Sequence, residues 1–329
     1  MAVETEGLER RFARTVAVDR VDLAVPAGQV YGFLGPNGAG KSTLVRMLCT
    51  LLAPTGGRAH VAGHDVATEA GVVRLKIGAA LQEAALDGTQ TGVELLALQA
   101  RLYGLTRAET NARLDDLRRL VDIGDALDRP IETYSGGMKR RLDLAAALVH
   151  NPVVLFLDEP TAGLDPASRQ RVWEEVRRVN VELGMTIFLT TQYLEEADAL
   201  AARVGIIDRG RLVAEGTPAE LKRSIGADVI VASVDGDTGP ARRALAEVVG
   251  VERVDVRGDE RGGELAIGVV DGAAALSPVA ITLAGCGIRV RTLTLRTPTL
   301  DDVFLALTGD HLGGDHTGDD RPPLAEVAR

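Results

Sequence analysis

Aromatic side chains are scarce, at 3% of 329 residues, so alanine, valine and leucine are expected to fill most of the core. Cysteine is almost missing. Cys49 and Cys286 lie far apart in apolar surroundings, which excludes a disulfide scaffold and reads as two reduced, buried thiols of a cytosolic protein. No Cys or His residues show metal-ligand spacing. No apolar run approaches the roughly 18 residues that a bilayer-spanning helix needs. The longest, residues 144–157, is broken by His150-Asn151-Pro152. Residues 1–14 are charged and carry no signal-peptide apolar segment. If the protein works at a membrane, another chain must do the crossing. Positive charge is in deficit as well. A net charge of −10 disfavours a broad phosphate-neutralising surface, so nucleic acid is not an expected partner. No repeat runs through the chain.

What is present is a globular composition, 46% hydrophobic and 26% charged, with length enough for one large domain and a smaller one. The most informative stretch is Gly35-Pro36-Asn37-Gly38-Ala39-Gly40-Lys41-Ser42-Thr43, which follows the apolar run 30–34 and precedes the apolar-periodic run 44–48. Strand, glycine-rich loop and helix with G-x4-G-K-S spacing form a phosphate-binding loop. Glycines let backbone N–H groups turn inward around an anion, and the new helix adds its own unpaired N–H groups at the same point. Lys41 supplies a point charge for the β/γ-phosphates and Ser42 a hydroxyl for Mg²⁺.

The second element is the apolar run 153–157, typical of a strand buried on both faces, ending in Asp158-Glu159. Asp158 is placed to hold Mg²⁺, and Glu159 to accept a proton from an attacking water. A third element, Ser135-Gly136-Gly137, opens a helix, where a hydroxyl and two glycine amides offer a second anion site; taken alone, the same three residues also fit an ordinary helix cap.

Strands are expected near 77–81, 185–191 and 204–208, hairpins over 8–25 and 58–66, and a helix over 169–183 stopped by Gly184. Alternation of strands and helices indicates an α/β fold with a parallel, helix-covered sheet. Amphipathic helices are expected between 93 and 149. Beyond residue 226 the order β-α-β-β-α-β fits a split βαβ arrangement, followed by a helix over 300–307. The Gly/Asp/Pro-rich residues 309–329 are expected to form a disordered tail.

Tyr134-Ser135-Gly136-Gly137-Met138-Lys139-Arg140-Arg141-Leu142 resembles the signature motif of ATP-binding cassette (ABC) ATPases, with Tyr for the usual Leu and Met for the usual Gln. Further motifs follow the same order. Gln82 is similar to the Q-loop glutamine, which contacts Mg²⁺; Asp165, in Ala162-Gly163-Leu164-Asp165, is similar to the D-loop aspartate; and Phe12 is similar to the aromatic residue that stacks on adenine, although Phe also fits a core position. Where the family normally has a histidine, this chain has Gln192. The resemblance covers about residues 4–220. Leu102-Tyr103-Gly104-Leu105, the run 190–198 and the run from Pro298 to Gly309 resemble the daunorubicin-resistance type of exporter subunit and extend it to nearly residue 309.

The resemblance implies a P-loop NTPase with helical and antiparallel β subdomains, an ABC domain over 1–224 with its helical subdomain at about 84–150, and a small α+β domain over 225–308. It implies ATP and Mg²⁺ as cofactors, and catalytic roles for Glu159, Gln192 and Lys41. It implies an ATP-dependent homodimer in which Ser135-Gly136-Gly137 acts in trans, and an integral membrane permease as partner, touched through residues 93–103. The location implied is the cytoplasmic face of the cell membrane. Export of drugs or other hydrophobic compounds is the function implied; export of lipid or polysaccharide, import, and a non-transport ABC ATPase stay open.

Overall fold

The computed structural model describes residues 1–81, 86–120, 124–226, 228–235, 238–259 and 262–308. These form two compact units that divide between Pro218 and Ala219. The expected boundary at 224/225 falls within a helix, Pro218–Ile225, nearly all of which belongs to the second unit.

The first unit begins with a long hairpin, β1 (Val3–Phe12) and β2 (Thr15–Val25). Its inward side chains alternate with exposed ones, the period-2 signature of a sheet with one wet face. Then come β3 (Val30–Leu34), α1 (Lys41–Leu48), β4 (Gly56–Val61), β5 (His64–Asp65), α2 (Ala70–Lys76) and β6 (Ile77–Ala80). A helical segment follows with α3 (Gly92–Leu102), α4 (Arg107–Leu120) and α5 (Gly136–Leu148). The chain returns through β7 (Val154–Asp158), α6 (Pro166–Leu183), β8 (Thr186–Thr191), α7 (Leu194–Leu200), β9 (Arg203–Asp208), β10 (Arg211–Gly216) and α8 (Pro218–Ile225).

Strands β2, β1, β4 and β5 make an antiparallel sheet. The central sheet runs β10-β9-β3-β8-β7-β6, parallel except for the edge strand β10. Every residue of β3, β7 and β8 is buried, as continuous apolar runs require in a sheet covered on both faces. The edge strand β10 was not anticipated: Arg211–Gly216 shows no clean apolar alternation, and only Gly216 of its six residues is buried.

The core differs from expectation in one respect. The few aromatics are concentrated: Phe188 lies 5.4 to 5.7 Å, centroid to centroid, from Tyr31, Phe33 and Phe156. Large rings therefore fill the centre of one sheet face, and aliphatics fill the rest. On the other face Leu95, Leu96, Leu117 and Leu142 of the helical segment pack with Val172 and Val176 of α6. Cys49 is buried, as expected; Cys286 is only half-buried.

The second unit contains β11 (Asp228–Asp235), α9 (Thr238–Ala246), β12 (Val251–Asp259), β13 (Gly262–Val269), α10 (Gly272–Gly285), β14 (Arg289–Arg296) and α11 (Leu300–Thr308). Its sheet order, β12-β13-β11-β14 with antiparallel neighbours, is the split βαβ arrangement read from the element order. Ile230, Leu265 and Ile267 from the sheet meet Leu245, Val279 and Leu283 from α9 and α10. The expected tail, 309–329, lies outside the described residues.

Candidate active site

Register fixes which loops meet. Leu34 of β3 pairs with Thr191 of β8, Thr190 with Asp158 of β7, and Leu157 of β7 with Ala80 of β6. The strands are parallel, so the segments that follow all four leave one edge of the sheet. This is the carboxyl edge, where open α/β sheets bind ligands.

The phosphate loop leaves β3 there and turns into α1. Its glycines answer specific geometric demands. Gly40 caps the helix at φ 109°, and a Cβ on it would sit 2.2 Å from the Ala17 carbonyl oxygen. A Cβ on Gly35 would sit 2.4 Å from the Ile207 carbonyl oxygen. The loop borders a cleft of roughly 210 Å³ lined by Ala17, Pro36, Asn37, Gly38, Gly40, Lys41, Ser42, Thr43 and Glu159.

Lys41 is 4% exposed. Its ammonium donates to the carbonyl oxygens of Gly35 at 2.7 Å and Pro36 at 3.1 Å. Its third neighbour is Glu159 Oε1 at 3.2 Å. All three donors of the ammonium thus have an acceptor. Ser42 Oγ lies 3.2 Å from Asp158 Oδ1, which also accepts from Thr190 Oγ1. A hydroxyl and a carboxylate at this spacing are hard oxygen donors suited to Mg²⁺, which takes few protein ligands and fills its shell with phosphate and water.

Glu159 is held in a conformation that non-glycine residues avoid, with φ 50°. Such a backbone costs about 1–3 kcal/mol and persists only where neighbours hold it. Here the Glu159 N–H donates to both the carbonyl (3.0 Å) and the hydroxyl (3.2 Å) of Thr190.

The remaining residues singled out in the sequence are dispersed. Gln192 follows Thr191 at the end of β8, half-buried, one residue before Tyr193, whose N–H donates to Thr191 Oγ1 at 2.9 Å. Phe12 ends β1, is 43% exposed and stacks under the Arg10 guanidinium at 4.5 Å. It does not line the phosphate cleft. Gln82 lies outside the described residues.

Ser135 caps α5, its hydroxyl accepting from the Met138 N–H at 3.3 Å. Asp165 caps α6, accepting from the Ser168 N–H at 3.0 Å and the Ser168 hydroxyl at 2.6 Å. The hydroxyl bond is the main reason its carboxyl titrates below its ordinary value. The two caps are neighbours, since a Cβ on Gly137 would sit 3.1 Å from Ser168 Oγ. Neither motif lines the cleft of its own phosphate loop.

Three participants carried no assigned role in the sequence reading. Thr190 bridges Asp158 and Glu159. Arg140, one turn into α5, reaches three backbone carbonyls. Glu196 of α7 is fully buried and accepts from the Trp173 indole at 3.0 Å. Arg140 lies within the signature run but has no motif role there, and a buried Glu is indistinguishable from the exposed Glu195 beside it.

A phosphate loop after β3, an Asp-Glu pair at the end of β7, one strand removed in the same parallel sheet, and an exposed serine–glycine helix start on an inserted helical segment define a nucleotide-binding cassette, an ATPase. Residues 18–162 match the ABC transporter family, and residues 216–308 match the C-terminal domain of DrrA1-3-like ATP-binding proteins. The daunorubicin/doxorubicin resistance ATP-binding protein DrrA of Streptomyces peucetius is 47% identical over 97% of this chain and 94% of its own. The daunorubicin resistance ATP-binding protein DrrA3 of Streptomyces coeruleorubidus is 50% identical over 94% of this chain and 96% of its own. Among solved structures, cbiO1 of Clostridium perfringens, part of the ABC transporter complex cbiONQ, superposes with TM-score 0.63 at 29% identity, covering 68% of this chain and 92% of that one. The chain belongs to the ATP-binding subunits of ABC transporters, in the group that carries the DrrA-like C-terminal domain.

Proposed function

We propose that this chain hydrolyses ATP as one of two identical jaws and so drives a separate membrane permease that exports drugs or other hydrophobic compounds. The observation that carries the two-jaw reading is the placement of Ser135-Gly136-Gly137. Ser135 and Gly136 are exposed at the start of α5, yet the three residues do not line the cleft of Lys41 in the same chain. A helix N-terminus is a natural anion site. A second copy, turned head to tail, would present it to the γ-phosphate.

In this reading the amides of the loop from Gly35 to Thr43 cradle the phosphates and Lys41 neutralises the β/γ oxygens. Ser42, Asp158 and Gln82 hold Mg²⁺, which when bound neutralises charge on the phosphate oxygens. Phe12 stacks on the adenine, and Asp165 steadies the turn beside the signature. Glu159 takes a proton from the attacking water as its oxygen bonds to the γ-phosphorus and ADP departs. Gln192, at the end of the strand beside Asp158, orients the γ-phosphate or that water with a neutral N–H. Loss of the γ-phosphate removes the bridge between jaws and lets them part.

The permease is inferred from the kinship with ATP-binding subunits of ABC transporters. Leu98 and Leu102 of α3, 38% and 72% exposed, offer an apolar contact on the helical segment. The working location is the cytoplasmic face of the membrane. Drug export follows from the names of the relatives. Its test is co-expression with a candidate membrane permease in a drug-sensitive host: drug efflux that needs an intact Lys41 supports it. Efflux unchanged by Lys41→Ala contradicts it.

A further inference from the structure

The Arg140 side chain is only 13% exposed, and its guanidinium collects carbonyls from two separate segments. Nε donates to the Pro160 oxygen at 2.9 Å, Nη2 to the Asp158 oxygen at 3.1 Å and Nη1 to the Leu81 oxygen at 3.0 Å. Nη1 also reaches the Asp143 carboxylate at 3.1 Å, one turn along the same helix. Four of the five N–H donors a guanidinium offers are thus accounted for by acceptors fixed in the backbone or in α5.

Two of those carbonyls bracket Glu159. The Asp158 carbonyl belongs to the peptide that enters Glu159, and the N–H of that same peptide is taken by Thr190. The peptide is therefore held at both ends. The Pro160 carbonyl fixes the chain as it leaves. Between the two anchors Glu159 adopts its left-handed backbone. The third carbonyl, of Leu81, directly follows β6, whose Ala80 is in register with Leu157 of β7. Arg140 does not line the phosphate cleft.

We propose that Arg140 is the positioning residue for Glu159, holding the carboxylate at its working place by gripping the backbone on both sides of it and tying that backbone to the end of β6. The proposal rests on the reading of Glu159 as proton acceptor. A lysine could replace the charge, but as a point donor it cannot span three carbonyls that a planar fork spans. Displacement of a reacting group by about 1 Å costs on the order of a hundredfold in rate. Arg140 touches none of the residues that would hold phosphate, apart from the Asp158 backbone, so its loss acts on turnover and not on nucleotide affinity.

The test uses the full chain and its ATPase rate. Arg140→Leu is expected to lower kcat about tenfold or more with KM for ATP within about twofold, and Arg140→Lys to recover part of the loss. In a Glu159→Gln background, where there is no carboxylate left to place, single-turnover rates with and without Arg140→Leu are expected to agree within about twofold. Unchanged kcat in a folded Arg140→Leu protein, a loss confined to KM, or independent multiplication of the two losses would each overturn the proposal. If Arg140→Leu does not fold, Arg140→Lys is read by the same criteria. Glu159→Gln by itself separates the two layers: no loss there removes the base assignment and this proposal together, whereas a large loss there with none at Arg140 removes this proposal alone.

Discussion

Lys41 Nζ and Glu159 Oε1 are 3.2 Å apart, and both side chains are almost fully buried, at 3% and 8% exposure. The candidate phosphate-binding cation and the candidate base thus share one small space. An incoming γ-phosphate would compete with Glu159 for the ammonium and free the carboxylate to face water. Removing the carboxylate while keeping the shape separates binding from chemistry. Glu159→Gln is expected to lower kcat on the order of 10²–10⁴-fold, the range for a lost general base, with ATP binding retained. Lys41→Ala is expected to lose ATP binding itself. Equilibrium binding of a fluorescent ATP analogue beside phosphate release distinguishes the two, and equal loss of binding in both contradicts the division of roles.

Gln192 stands where the family has histidine. It can donate an N–H but cannot become cationic, and a charge-assisted bond is roughly twice as strong as a neutral one. Gln192→Ala is expected to slow turnover several-fold, and Gln192→His to match or exceed the parent. Steady-state rates in the assembled complex check both. Turnover of the alanine variant equal to the parent would show that Gln192 has no part in hydrolysis.

The phosphate loop makes a graded stability prediction. A Cβ at Gly40 meets the Ala17 carbonyl oxygen at 2.2 Å, whereas one at Gly38, φ 82°, meets nothing within 4 Å. Both substitutions incur backbone strain of about 1 kcal/mol or more, but Gly40→Ala must also displace β2. Denaturant unfolding is expected to rank Gly40→Ala as the more damaging by roughly 1 kcal/mol or more. The reverse order contradicts the loop geometry.

Glu196 supplies a pH signature. Burial raises its carboxyl above the ordinary 4.5, with the bond from the Trp173 indole opposing the shift in part. A carboxyl raised in the folded state binds its proton more tightly there than when unfolded. Its contribution to stability therefore falls as pH rises from the unfolded value through the folded one. Glu196→Gln removes that dependence. The melting temperature of the parent minus that of the variant is expected to be smaller at about pH 8 than at about pH 5. A constant or increasing difference contradicts the assignment.

The parallel sheet was legible because a strand buried on both faces must be apolar throughout, as residues 153–157 and 30–34 are. The phosphate loop was legible because its glycines are required one by one. The start of α6 was less well read. Asp165-Pro166 is an N-cap followed by proline at the first helical position, yet the helix was expected to begin at residue 169. Asp165, read from its motif as a D-loop aspartate, caps the helix, a role that the motif reading obscured. Arg140 and Thr190 could not be read at all. Their contacts across the fold, from Arg140 to the carbonyls of Leu81, Asp158 and Pro160 and from Thr190 to Asp158 and the Glu159 N–H, are brought in by strand register, and register leaves no local trace in the sequence.

The account stands most directly on completion of the ATP site by a second copy. Two variants, Lys41→Ala and Ser135→Arg, each in the Glu159→Gln background, should separately retain no tightly held ATP. In an equal mixture, a heterodimer pairs the intact phosphate loop of one copy with the intact signature of the other. The measurement is ATP retained per protein after rapid desalting. The account predicts retention in the mixture at about one ATP per heterodimer. A mixture that retains no more than its separate components would contradict it.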